Sequence, residues 1–210
     1  KLNLKKLEDS KIGKPVPQNF FGLSITESQI RHYYYREEIN KHLGSKFDSV
    51  FEVGGGFGGL AGELLSTMLI DKYFFVDLFD ALPLAYFYLT QKLPKDEIQI
   101  IARKDHEINP HAKVIILPPN LLYKVTKKIS LFINTMSFQH MNLESIDFYL
   151  KEASRLDSEN LFLNNRDWIR DPSDIKISNY PIPKKYKKII DKQWLYGKHR
   201  INIFKAKIEA

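Results

Sequence analysis

The residues best suited to chemistry begin at FEVGGGFGGL, Phe51 to Leu60, which holds five glycines in six positions. Glycine serves a loop where a ligand must approach the backbone closely or where φ must be positive. Two patterns overlap here. Gly54, Gly56 and Gly59 spell the G-x-G-x-x-G of a dinucleotide site, and Gly54, Gly56 and Gly58 spell the G-x-G-x-G of a methyl-donor site. Glu52 separates them. A carboxylate beside the loop repels a pyrophosphate but suits S-adenosylmethionine, which carries a sulfonium, an ammonium and no phosphate. Asp77 follows Glu52 by 25 residues, where an acid can accept both hydroxyls of a ribose. Both nucleotides contain that ribose, so Asp77 marks a nucleotide without choosing between them. The donor contacts expected in this region are Glu52, Gly54, Gly55, Gly56, Phe57, Asp77 and Leu78.

These residues need elements to hold them. SITE, Ser24 to Glu27, fits a capping box with Ser24 as N-cap. The helix it opens runs through QIRHYYYREEINKHL and stops at Gly44. VFEV, Val50 to Val53, reads as a buried strand ahead of the glycines, and Leu60, Leu64, Leu65 and Met68 then recur at helical spacing. YFFVD is the second strand and ALPLAYFYLTQKL the second crossover helix. IQIIA and KVIIL both have strand character, and either suits the third position. SLFIN and NLFLN are the fourth and fifth strands. Between them LESIDFYLKEASRL places Ile146, Tyr149, Leu150 and Ala153 on one helical face. YKKIIDKQWLY and INIFKAKI flank GKH and read as an antiparallel hairpin. Strand–helix alternation of this kind makes an α/β fold with a mostly parallel sheet. The chain reads as one domain, with an N-terminal helical segment (1–45), a nucleotide-binding core (46–170) and a C-terminal hairpin (171–210).

Composition narrows the function classes. The chain has 210 residues, 43% of them hydrophobic, enough for one domain with a real core. There are no cysteines, which excludes disulfides, thiolate metal sites and cysteine nucleophiles. The longest apolar stretch, Tyr73 to Leu89, is broken by Asp77, Asp80 and Pro83, so no membrane span is expected. The opening KLNLKKLEDSKIG is too charged for the apolar part of a secretory leader, and a cytoplasmic protein is expected. The net charge of +7 arises wholly from Asp174 onward; Lys1 to Ser173 balance at 22 basic and 22 acidic residues. A lysine-rich end of this kind can attract polyanions or simply be a solvated edge.

VFEVGGGFGGLAGELL, VDLFDALPLAYFYL and SLFINTMSFQHM together resemble the bacterial sugar O-methyltransferase family, within the class I S-adenosylmethionine-dependent methyltransferases. The resemblance covers about Phe20 to Arg166. DLFDAL departs from it, lacking the usual Pro after Asp-Leu. It implies a Rossmann-like fold with a seven-stranded sheet, an antiparallel C-terminal hairpin strand and an N-terminal helix as lid. It also implies a sugar, nucleotide-sugar or glycan acceptor, as in polysaccharide biosynthesis. In that fold the loop after the fourth strand faces the donor methyl. Here it is NTMSFQHM, Asn134 to Met141, and not the N/D-P-P-Y/F of enzymes that methylate nucleic-acid bases. PPN, Pro118 to Asn120, precedes the strand.

Methyl transfer to a hydroxyl requires removal of its proton, and a neutral histidine can take it at neutral pH. His140 is therefore the expected general base. Asn134 is expected at the donor, and Ser137 and Gln139 at the acceptor. Trp168, after the fifth strand, can stack on a sugar face. Arg31 or one of Tyr33, Tyr34 and Tyr35 on the lid helix can reach the donor's carboxylate. The fourth and fifth strands end in Asn134 and Asn164–Asn165, amides that suit magnesium poorly, so no metal is expected. An RNA acceptor drawn to the basic C-terminal region is the alternative, disfavoured because the proposed site lies in the neutral part. An NAD-dependent oxidoreductase is the other, opposed by Glu52.

Overall fold

The structure, a computed structural model, describes residues 12–20, 22–194 and 197–207; the charged opening through Lys11 and the Leu195–Tyr196 pair of the hairpin lie outside them. Two short strands, β1 (Gln18–Phe20) and β2 (Leu23–Ile25), pair antiparallel ahead of helix α1 (Glu27–Leu43). The main sheet holds β3 (Lys46–Val53), β4 (Leu69–Val76), β5 (Ile98–Ile100), β6 (Val114–Leu117), β7 (Leu131–Thr135), β8 (Asn160–Arg166), β9 (Tyr186–Gln193) and β10 (His199–Ala206). Its order is β5-β6-β4-β3-β7-β8-β10-β9. β3 to β8 are all parallel, and β10 runs antiparallel to both β8 and β9.

The sheet has eight strands where seven were expected. The sequence offered IQIIA and KVIIL for one position, and both are used: Val114–Leu117 pairs with β4, and Ile98–Ile100 adds outside it. The start of α1 also differs. Thr26, not Ser24, is the N-cap, because Ser24 is held extended opposite Asn19 in the β1–β2 pair. Thr26 Oγ1 accepts from the Gln29 backbone N–H at 3.2 Å, and Gln29 Oε1 accepts from the Thr26 N–H at 2.8 Å. That reciprocal pair satisfies two donors at the helix start. The second crossover helix is shorter than its sequence suggests: a 3₁₀ turn at Phe79–Ala81 leads into α3 (Leu82–Leu89).

Helices cover both faces of the sheet, as a parallel sheet requires. On one face α1, α2 (Gly59–Thr67) and α3 bury Tyr35, Ile39, Leu60, Leu64, Leu82 and Leu89 against Val50, Phe75 and Ile116. On the other, α4 (Leu143–Arg155) buries Ile146, Tyr149, Leu150 and Ala153, the four residues expected on its inner stripe. No helix among the described residues is long and apolar enough to cross a membrane.

β3 lies between β4 and β7, whose crossovers leave in opposite directions. A crevice opens beyond the carboxyl ends of the strands at such a switch point. The glycine run follows β3 there, Asp77 follows β4, Asn134 to His140 end β7, and Arg166 ends β8. Helix α1 is tied to that end by one buried bond, in which the Tyr35 hydroxyl donates to Asn164 Oδ1 at 2.6 Å. Tyr35→Phe leaves that acceptor unpaired in the core. It should cost about 1–2 kcal/mol, read by urea unfolding; a stability equal to wild type would show that the bond does not anchor the helix.

Candidate active site at the carboxyl ends of the strands

The glycines divide into two jobs. Gly54, Gly56 and Gly58 have φ of +71°, +60° and +84°, the alternation of the methyl-donor pattern. Gly55 is there for close approach: a Cβ on it would lie 2.2 Å from the Phe75 ring and 2.9 Å from Glu52 Cδ. With its α-carbon pressed on the core, the backbone of the loop is left bare on the crevice side. Phe57 is partly exposed beside it and meets Tyr88 edge-on at 5.0 Å. The side chain of His32, from α1, packs where a Cβ on Gly59 would fall. Burial, and then the charge of Arg31, push its pKa down to about 3, so α1 meets the loop with a neutral ring.

Asp77 reaches across the loop. Its Oδ2 accepts from the Gly56 N–H and its Oδ1 from the Leu78 N–H, both at 2.7 Å. A carboxylate has about four lone-pair sites, so each oxygen keeps one for a ligand hydroxyl. Burial raises the pKa of Asp77, and the two N–H bonds oppose that rise. Leu78 is exposed next to it. Asp77 thus keeps lone pairs suited to ribose hydroxyls, and Leu78 and Phe57 are exposed apolar side chains on the same two loops.

Glu52 is fully buried below the loop rather than open to the crevice. Its Oε2 accepts from the Tyr73 hydroxyl at 2.7 Å. Tyr73 stands two residues before Phe75, the register partner of Glu52, so both side chains share one face of the parallel pair. Burial moves the Glu52 pKa from 4.5 to about 7; the Tyr73 bond opposes that rise and the charge of Asp77 adds to it. Close to neutrality the group is therefore only part-ionised.

After β7 the chain turns sharply. Met136 has φ of +58°, a left-handed conformation rare for a side chain of this size, and its N–H donates to Asn164 O at 2.7 Å. Ser137 is brought so close to Gly54 that a Cβ there would meet its Oγ at 2.1 Å. The glycine loop and the loop after β7 are thus in contact. Asn134 is wholly buried: it donates to Val53 O at 2.9 Å and to Ser137 Oγ, and accepts from the Phe138 N–H at 3.2 Å and Asn165 Nδ2 at 2.9 Å. Gln139 is buried too, its N–H donating to Asn165 Oδ1 at 3.2 Å. His140 is exposed over a cleft lined by Met141, Asn142, Arg170 and Asp174. Partial burial, then Arg166 and Arg170, lower its pKa against the opposing charge of Asp174, so it stands neutral at pH 7.

Trp168 is half-buried, with the Lys198 ammonium 4.2 Å and the Arg166 guanidinium 5.9 Å from its ring centre. Arg31, on α1, donates to Ser28 Oγ at 3.3 Å. Asn164 and Asn165, like Asn134, spend their side-chain oxygens on protein donors. Among the described residues no three or more His, Asp or Glu side chains gather to hold a metal ion. Two contributors were missed in the sequence. Tyr73 was read only as part of a strand, and His199, at the start of β10, touches Gln139 through a register visible only once β10 is laid against β8.

Glu52 binds its proton more tightly in the folded chain than in the unfolded one. The stability it contributes is complete below its unfolded value of 4.5 and is lost as pH rises through about 7. Glu52→Gln keeps an acceptor for Tyr73 and cannot ionise. It should be more stable than wild type by on the order of 2 kcal/mol above pH 8 and about equal near pH 4.5, measured by chemical unfolding. A difference that does not grow with pH would contradict this account.

Comparison with known proteins gives the fold its context. No family model matches the sequence, and no curated protein matches it. Solved structures do. The mitomycin 7-O-methyltransferase is 11% identical with a TM-score of 0.57, over 85% of this chain and 55% of its own, so the present chain spans about half of that protein. The magnesium protoporphyrin IX methyltransferase of Synechocystis PCC 6803, solved with bound SAH, is 10% identical with a TM-score of 0.58, over 88% of this chain and 90% of its own. An rRNA methylase of Escherichia coli is 10% identical with a TM-score of 0.53, over 86% of this chain and 67% of its own. The chain therefore has the Rossmann-like fold of class I methyltransferases, a fold that in these three proteins serves an antibiotic, a porphyrin and an RNA.

Proposed function

We propose that the chain is an S-adenosylmethionine-dependent O-methyltransferase acting on a hydroxyl of a sugar, free, nucleotide-linked or within a glycan. One observation carries the donor: a glycine loop with alternating positive φ at the sheet's switch point, latched by the Gly56 N–H to Asp77. When bound, S-adenosylmethionine supplies an electrophilic methyl group. The bare loop backbone receives its amino-acid part, Asp77 accepts from the ribose hydroxyls, and Phe57 and Leu78 flank the base. Glu52 supports this from below, placing negative charge under the loop to the extent that it ionises.

The acceptor side rests on contact and chemistry together. Ser137 abuts Gly54, so an acceptor lying on the Asn134–His140 loop is next to the donor loop. His140, exposed and neutral at pH 7, takes the hydroxyl proton. Ser137 orients the acceptor, while the Gln139 amide, spent on the Arg166 N–H, His199 and His140, acts from behind the base. No residue of this site requires a metal. The sugar itself follows from the resemblance of the three motifs.

The alternative acceptor, RNA, has the positive charge from Asp174 onward in its favour. The most concentrated part of that charge is remote. Lys187 and Lys205 face each other where Lys205 aligns with Asn160, a strand's length, roughly 20 Å, from Arg166. Near the site Lys192 pairs with Glu38, and Arg200 with Asp191 and Asp167. This distribution favours a small acceptor.

S-adenosylhomocysteine should raise the melting temperature and NAD should not; the reverse would overturn the methyltransferase reading. His140→Ala should lower turnover by about 100-fold or more while leaving S-adenosylhomocysteine affinity unchanged. Turnover near wild type would remove His140 as base. Labelled-methyl transfer should label nucleotide-sugars or glycans; label in RNA alone would replace the sugar reading.

A further inference from the structure

Three side chains from two parts of the chain, the loop after β7 and the start of β10, meet in a line that ends on the proposed base. His199 Nε2 stands 3.0 Å from Gln139 Oε1, and Gln139 Nε2 stands 3.3 Å from His140 Nε2. The orientation of the central amide is decided by a group that can only donate: the Arg166 backbone N–H reaches Gln139 Oε1 at 3.2 Å. With Oε1 on that side, the amide NH₂ must face His140. His199 then carries its proton on Nε2 and leaves a lone pair on Nδ1. That Nδ1 is buried with no hydrogen-bond partner among the described residues, and a bare lone pair there is less costly than a bare N–H. The ring is held edge-on against Trp194 at 5.8 Å, in the field of Arg31 and Arg166.

We propose that Gln139 and His199 are positioning residues for His140. His199 locks the amide, and the amide holds His140 with its proton on Nδ1 and its lone pair on Nε2. This rests on the reading of His140 as the base. In the resting state the arrangement selects the neutral base and fixes which nitrogen takes the proton. The amide bond occupies the only lone pair of Nε2, so the acceptor hydroxyl displaces the 3.3 Å Gln139 contact before it gives up its proton. The protonated Nε2 then faces an amide donor, so the imidazolium is disfavoured and sheds its proton to solvent. Arg166 and Arg170 facing His140 push the same way, and Asp174 pushes the other.

The test is a long-range ¹H–¹⁵N correlation of histidine-labelled full-length protein at pH 8. Wild type should show His140 as the Nδ1–H tautomer and His199 as the Nε2–H tautomer. Gln139→Glu places a carboxylate against His140 Nε2. It should shift His140 to Nε2–H and raise its titration midpoint by about one pH unit or more. His199→Ala should let the Nε2–H form of His140 grow in, and His199→Gln, which restores a donor, should suppress it. A wild-type His140 that carries its proton on Nε2 overturns the proposal without recourse to any variant. So does a Gln139→Glu protein that is folded by circular dichroism yet titrates as wild type does. Calorimetry with S-adenosylhomocysteine on wild type keeps the questions apart: failure to bind counts against the donor reading, while the tautomers decide the positioning.

Discussion

Four hydrogen bonds converge on the side chain of Asn134, and the arrangement of the site depends on them. The residue is buried where β3, β7 and β8 end together, far from water that could replace a lost partner. An amide is the group able to do this, since it donates and accepts at once without carrying a charge. It ties the last turn of β3 to the loop after β7, and through Asn165 it ties that loop to β8. Gln139 then extends the network to β10, and Asn164 extends it to α1. Removal of any one member strands its partners in a low-dielectric interior, at about 1–3 kcal/mol for each unpaired group. The left-handed Met136 is held inside this frame: the loop bears a strained residue because the bonds around it leave no cheaper path.

The same end of the sheet carries a second buried polar pair of different character. Glu52 and Tyr73 sit under the glycine loop, where an ionised carboxylate is costly and a protonated one is not. The loop thus rests on a group whose charge is set by its surroundings as much as by pH. A ligand bearing positive charge above the loop favours the ionised form, and an empty loop favours the neutral one. Asn134 holds the ends of three strands together, and Glu52 places beneath the loop a carboxyl group whose ionisation is set by its burial.

Much of this was legible in the sequence. The inner stripe of α4 could be read from Ile146, Tyr149, Leu150 and Ala153 because helical periodicity is local. The glycine loop and Asp77 could be read because strand, turn and acid follow one another closely. What was not legible was pairwise and distant. That Glu52 is sealed beneath the loop with Tyr73 depends on the register of β3 against β4. That His199 reaches Gln139 depends on the order β8-β10-β9, which no hydrophobic pattern specifies. The cap of α1 was misplaced by two residues because S-x-x-E and T-x-x-Q overlap, and the β1–β2 pairing decides between them.

The position of β10 between β8 and β9 has a consequence in time. The chain makes its glycine loop well before β10, and domains begin to fold from the N-terminal side during synthesis. A nascent chain that has emerged as far as β8 already holds Asp77 and the glycines. It still lacks His199, and β8 is still an open edge with unpaired N–H and C=O groups. Both deficits end in one step, when the hairpin docks and His199 aligns with Arg166. The strand that pairs with β8 is also the one that brings His199 to Gln139, and it moves the edge of the sheet out to β9, a lysine-rich strand poorly suited to pairing with another chain.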